Sequence, residues 1–167
     1  MIDLRTIRES DAGQFLSLCL QLDEETHFML LEPGERATTP DQQRERIRQV
    51  LAMDNQTILV AQADDHLVGF IAGLGGEYRR NRRTVHIVIG ILQSYSGQGI
   101  GKRLFQALEV WALEHGIHRL ELVVMTHNQR GIALYQRMGF QVEGVKRDDL
   151  FVDGGFIDQY MMAKLLE

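Results

Sequence analysis

Residues 94–104 read SYSGQGIGKRL, with glycines at the alternate positions Gly97, Gly99 and Gly101 and a lysine, Lys102, directly after. An apolar run, VHIVIGIL, precedes them and a helix-like run, LFQALEVWALEH, follows. A strand, a glycine loop and a helix start make a ready-made anion site. The free N–H groups of the first helical turn point outward, and the helix dipole favours negative charge there. Two familiar phosphate loops do not fit. A Walker A loop would need glycine where Ser96 stands and Ser or Thr where Arg103 stands. The dinucleotide fingerprint would need a third glycine at Lys102 or Leu104. His115 and His118 have no evident third partner for a metal. Cys19, the single cysteine, reads as a core residue and excludes an intrachain disulfide.

The elements that would position the loop follow from periodicity and punctuation. IDLRTIR alternates as a first strand. Asp11 and Gln14 have capping-box spacing ahead of a helix carrying Phe15, Leu16, Cys19, Leu20 and Leu22. Residues 23–38 read as an acidic loop with a partial helix. Thr39-Pro40-Asp41-Gln42 starts a second helix reaching about Met53. TILVAQA and LVGFIAGLGG form a hairpin about DDH, and RRNRR (79–83) is a basic loop. TVHIVIGIL (84–92) is apolar nearly throughout, so it is expected at the sheet centre, covered on both faces. A helix with the stripe Ile100, Leu104, Leu108 and Trp111 ends at Gly116. RLELVVMT is a strand, and NQRGIALYQRM is a short helix closed by Gly139. FQVEGV and FIDQYMMAKLL end the chain as strands around DDLFVDGG. The order β-α-α-β-β-β-α-β-α-β-β predicts an α/β fold with a mixed sheet, in one domain over residues 1–167.

Composition narrows the function. The chain is 44% hydrophobic and 25% charged, as soluble globular proteins are. A net charge of −5 argues against general nucleic-acid binding. No apolar run has transmembrane length and no signal-peptide core is present, so a cytoplasmic location is expected.

THNQRGIALYQRMGF (126–140) places Asn128 at a strand end, Tyr135 seven residues on, and then Gly139-Phe140. With SYSGQGIG and the element order, this resembles the GCN5-related N-acetyltransferase (GNAT) superfamily over essentially the whole chain. The family's acetyl-CoA loop, Arg/Gln-x-x-Gly-x-Gly/Ala, is met except at its first position, which is Ser96. Its next segment, Asn-x-x-Ala-x-x-Leu-Tyr-x-x-x-Gly-Phe, is met at Asn128, Leu134, Tyr135, Gly139 and Phe140, with Gly131 in place of Ala. The ending GGFIDQYMMAKLL is similar to the branch of L-amino-acid and ribosomal-protein N-acetyltransferases.

The resemblance implies direct acetyl transfer from acetyl-CoA to a primary amine of a small molecule or a peptide N-terminus, without a metal. It implies pyrophosphate on the loop of Ser96, Gly97, Gln98, Gly99, Ile100, Gly101 and Lys102, with Lys102 or Arg103 offsetting Ser96. It implies a splayed central strand whose Ile89 and Ile91 pair with the pantetheine arm. Asn128 would bond the pantetheine amide, and Tyr135 would protonate the leaving thiolate. Alternatively, Asn128 is only a helix cap, and Tyr135 is a core aromatic on the stripe Ile132, Tyr135, Met138. Relatives often carry an acid on the central strand; here the residue is His86, either a base or a bonded core histidine. The acceptor would lie over residues 23–38, where Asp23, Glu24, Glu25, Glu32 and Glu35 offer carboxylates to a cationic amine. RRNRR would meet the 3′-phosphate of CoA, or is solvated loop charge. Tyr160, Met161 and Met162 in a row suggest a homodimer. A CoA-binding sensor that lost turnover is the alternative function.

Overall fold

The computed structural model describes residues 1–167. The elements are β1 (Ile2–Thr6), α1 (Ala12–Glu25), α2 (Pro40–Leu51), β2 (Gln56–Ala63), β3 (His66–Gly75), β4 (Thr84–Ile91), α3 (Ile100–Glu114), β5 (Arg119–Met125), α4 (Gln129–Arg137), β6 (Gln141–Val152) and β7 (Gly155–Leu165). This is the expected order. The strands form one seven-stranded sheet, β1-β2-β3-β4-β5-β7-β6. Every neighbouring pair is antiparallel except β4 and β5, which run parallel. No helix is long and apolar enough to cross a membrane.

Helices cover the sheet on both faces. Phe15 of α1 meets Phe70 of β3 edge-on, with centroids 5.1 Å apart. On the opposite face α3 buries Ile100, Leu104, Leu108 and Ala112, each at most 2% exposed. Removing each of the larger side chains from water stabilises the fold by about 1.5–3 kcal/mol. Lys164 of β7 reaches Glu109 of α3 at 2.9 Å on that same face.

Local sequence explains most boundaries. Thr39 caps α2 by accepting from the Gln42 N–H, while the Gln42 side chain accepts from the Thr39 N–H. The expected box at Asp11 and Gln14 does not form. Asp11 turns back to accept the Arg8 N–H at 2.7 Å and the Arg5 guanidinium at 2.7 and 2.9 Å. That pairing holds its carboxyl below the usual range. It also ends β1 at Thr6, short of the run through Arg8 that alternation suggested. Helix α1 continues through Asp23 and Glu24 to Glu25, so the irregular segment begins at Thr26. DDLFV, expected as part of a turn, belongs to β6, with pairing irregularities at Val142/Gly144 and Lys146/Leu150 and the turn at Asp153-Gly154. The four charges Lys146, Arg147, Asp148 and Asp149 hide a strand because it is an edge strand open to water.

Candidate active site

Strand β4 is central, as expected, but it is not covered on both faces. Val85 and Ile87 are buried toward α3, whereas Val88 on the α1 face is 37% exposed. The reason lies in its pairing. β4 and β5 are joined only at Thr84–Arg119, Val85–Leu120 and His86–Glu121. Beyond His86 they splay, and residues 87–91 pair with β3 alone. The splay opens a cleft of about 1050 Å³.

The cleft gathers most of the residues singled out in the sequence. Ile89 and Ile91 line it from the unpaired stretch of β4. Ser96, Gly97, Gly99, Ile100, Gly101 and Lys102 line it at the start of α3, and Gln98 sits within that loop. Asn128 and Tyr135 line it from α4.

The three glycines serve different ends. Gly97 and Gly99 have φ of +74° and +78°, a left-handed backbone that side chains resist, with open space around each. Gly99 is the N-cap of α3, so the first-turn amides face the cleft. Gly101 is required by proximity, because a Cβ there would stand 2.8 Å from Leu134 Cδ2. Ser96 turns its hydroxyl inward to donate to the Gln93 carbonyl at 2.9 Å. Lys102, Arg130 and Arg137 bring positive charge to the cleft wall. Arg103 does not, since its guanidinium donates to the Ile2 carbonyl at 3.0 Å. The RRNRR loop is also out of reach, at the opposite end of β4 from the glycines, where Arg82 pairs with Asp54 at 2.6 Å.

Asn128 caps α4 by accepting the Gly131 N–H on Oδ1 at 3.0 Å. Its Nδ2 donates to no group of the protein and is free for a ligand carbonyl. Gly131, where the family pattern has Ala, has a local reason. A Cβ there would stand 2.7 Å from that Nδ2. Tyr135 packs edge-on with Phe105 and Phe140, at 5.7 and 6.5 Å between centroids. Its ring is thus both core packing and cleft wall. Its hydroxyl makes no hydrogen bond within the protein, and burial pushes its pKa up to about 12. The phenol therefore stays protonated at neutral pH.

His86 does not line the cleft. It sits one step behind the splay, on the α1 face, in register with Leu74 and Glu121. Of the five acidic residues after Leu22, only Glu25 reaches the cleft. Its Oε1 accepts the Gln93 backbone N–H at 2.6 Å, tying the end of α1 to the chain leaving β4. Asp23 is 2% exposed and clamped to Arg36 at 2.7 and 3.0 Å, which folds the loop back on α1. Periodicity had no means to reveal His127, whose ring lies 5.2 Å from Phe28. Both line the cleft, and residues 26–29 thereby bridge from the β4 side to the β5 side. Arg130 and Arg137 did carry a signal: they are basic residues seven apart on the helix that Asn128 starts. Cys19 is buried, and its thiol is pushed up to about 11 by burial, as suits a core residue.

The cleft fits acetyl-CoA on observable grounds: amides, a helix N-terminus and cations for phosphates, an unpaired strand edge and a free amide for the arm, and an unpartnered hydroxyl deeper in. The family model described as "Acetyltransferase (GNAT) family" matches residues 19–140. The chain is 24% identical over 161 residues to the "SPbeta prophage-derived uncharacterized N-acetyltransferase YokL" of Bacillus subtilis, spanning 94% of this chain and 85% of that one. It is 37% identical over 101 residues to "N-alpha-acetyltransferase RimI" of Mycobacterium tuberculosis, spanning 58% of this chain and 60% of that one. The crystal structure of the acetyltransferase of GNAT family from Streptococcus pneumoniae superposes with a TM-score of 0.96 at 28% identity, over 99% of this chain and 100% of that one.

Proposed function

The chain belongs to the acetyltransferase (GNAT) family, acyltransferases that draw on acetyl-CoA, and we propose that it moves the acetyl group directly to the primary amine of a small molecule or of a peptide N-terminus. The observation that carries this reading is the splay of β4 from β5, which brings the glycine loop, Asn128 and Tyr135 to one cleft.

Bound acetyl-CoA supplies an activated thioester. The protein's residues do the rest. Amides from Gly97 to Lys102 hold the pyrophosphate, with Lys102, Arg130 and Arg137 adding charge. The free edge of β4 at Ile89 and Ile91 aligns the arm as an added strand would, and Asn128 Nδ2 donates to it. Tyr135 gives its hydroxyl proton to the sulfur as the carbon–sulfur bond breaks. His86 takes the proton of the amine through water, since it stands outside the cleft on the α1 face. Ser96 contributes no charge, so the loop binds through main chain and through the neighbouring cations.

The reading includes a homodimer. Phe151 and Phe156 near the β6–β7 turn are 62% and 67% exposed, and Val142 and Val145 are 46% and 48% exposed. Met162, one of the three residues that suggested pairing, is instead buried at 1%. Light scattering at micromolar protein is expected to exceed the 19.1 kDa of one chain; a value at that mass removes the dimer.

The test of function is release of free thiol from acetyl-CoA across amino acids, polyamines, aminoglycosides and N-terminal peptides. Turnover with one class supports the enzyme. Tight binding without thiol release selects the sensor, the reading that Ser96 favours.

A further inference from the structure

Resting on that reading, we infer that the acceptor is a polypeptide N-terminus whose first residues lie on the α1-side face of β4, β5 and β7, with an apolar side chain against Val88, Val123 and Met161, each more than a third exposed.

The cleft is lined from both faces of the sheet. Ile89, Leu134 and Tyr135 line it from the α3 side, where a Cβ at Gly101 would touch Leu134 and Ile91. Leu22 and Gly90 line it from the α1 side, where a Cβ on Gly90 would stand 2.7 Å from Leu22. The phosphate-binding amides belong to α3. With that face occupied by the donor, the amine must enter from the other.

The α1-side face is open just there. Val88 is two residues from Gly90 on the same side of β4, about 6.7 Å along the strand. Val123 and Met161 are direct partners on β5 and β7. Their registers with His86–Glu121 and Glu121–Ala163 place all three on the α1 side. Alternation confirms it: Leu120, Leu122 and Val124 are at most 4% exposed toward α3, whereas Val88, Val123 and Met161 are 37–38% exposed. An apolar row thus crosses the sheet beside the cleft, with Val123 and Met161 roughly 5 Å apart at ordinary strand spacing and a wider gap to Val88 across the splay.

Behind this row is a polar one. His86 and Glu121 are in register, and Arg119 bridges Glu121 at 3.1 Å and Glu143, the latter through two guanidinium contacts. A small amine would be swallowed by the cleft and leave the apolar row in water. An extended chain of two or three residues spans it, covering the valines and methionine while its amides meet the charged row. Two carboxylates to one guanidinium leave that row net negative, which complements a chain whose leading group is a cation.

The test compares hexapeptides beginning with different residues against the matching single amino-acid amides, in the full chain, for kcat/KM. The best hexapeptide is expected to exceed its amide by at least about tenfold. In Met161→Asp and Val123→Asp that ratio is expected to fall toward one, with acetyl-CoA affinity by calorimetry and the melting temperature retained, since both sites are exposed. A ratio near one in the native chain overturns the inference in favour of a small-molecule acceptor. A ratio that survives both substitutions overturns the shelf. Dimerisation lost in Met161→Asp with the ratio intact reassigns this face to a second copy. If no acceptor turns over, the enzymatic reading fails, and the shelf is then judged by calorimetric hexapeptide binding in the presence of CoA, which must be present in the native chain and lost in both variants.

Discussion

On the α3 side, beside the side chains of Ile89, Leu134 and Tyr135, main chain supplies the hydrogen-bonding part of the cleft wall: left-handed Gly97 and Gly99, the amides of the first turn of α3, and the unpaired edge of β4. On the α1 side the wall is side chains: Leu22, Glu25, Phe28 and His127 from a helix end, an irregular loop and the turn after β5. Backbone recognition fixes a conformation, and few residue types can hold it. Side-chain recognition tolerates exchange, because many side chains fill a wall equally well. On the proposed reading, the donor side is the half that tolerates less exchange of residues and the acceptor side the half that tolerates more. Tyr135 lies at their meeting point, packed by Phe105 and Phe140 yet open at its hydroxyl.

The comparison breaks most readily at that hydroxyl. Tyr135→Phe removes one oxygen and leaves the aromatic packing. If the donor side both binds and does chemistry, turnover is expected to fall by roughly 10- to 1000-fold, the usual span of a general acid, with acetyl-CoA affinity little changed. Equal loss of affinity would instead make Tyr135 a packing residue of the donor side. Normal turnover would assign the proton to water. Because the folded phenol ionises only near pH 12 and a free one near 10, the protein is also expected to lose stability as pH rises between those values.

A β-branched side chain at φ +78° strains the cap of α3 and places methyl groups before the amides. Gly99→Val is therefore expected to weaken acetyl-CoA by about 10- to 100-fold in calorimetry, or about 1.4 to 2.7 kcal/mol. The space around Gly99 is open, so the core has no reason to change. Retained affinity would mean that the loop is only a turn and that the donor is held elsewhere.

The same contrast explains what could be read in advance. The element order, the glycine loop and the α4 motif are visible because each has a rule at fixed offsets: a cap, a positive φ, a helix-ending glycine. The α2 capping box was legible to the residue. The Asp11 box was not, because Arg5, six residues away, wins the carboxylate through two charge-assisted bonds. The splay was invisible to periodicity. TVHIVIGIL reads as doubly buried, and nothing local says that β5 departs after Glu121. The role of Glu25 was equally hidden, since its partner Gln93 lies 68 residues away. Acidic residues along an irregular stretch look alike until the fold turns Glu25 and Glu35 to backbone amides and buries Asp23 against Arg36.

The smallest expected effect concerns the acceptor side. His86 is half-buried on β4, in register with Glu121, one row behind Val88. No residue between it and the cleft on that face of β4 ionises, because only Val88 and Gly90 intervene. On the proposed reading, a proton passing from the amine to His86 rather than to Glu25 or His127 of the cleft wall crosses about 6.7 Å of strand beyond Val88, a span that one water bridges. Relay through water is less sensitive to one group than direct contact is, since solvent at an open face can take over. His86→Gln keeps the size and a hydrogen-bonding tip but cannot take the proton. It is expected to lower kcat by only about 3- to 10-fold, below the usual range of a directly placed base. The decisive readout is the pH profile. A base works only when deprotonated, so kcat should fall on the acidic side in the native chain, and that limb should vanish in the variant. Arg119, Glu121 and Glu143 face the same row. A limb unchanged in His86→Gln would leave His86 a packing residue of the shelf and hand the proton to bulk water.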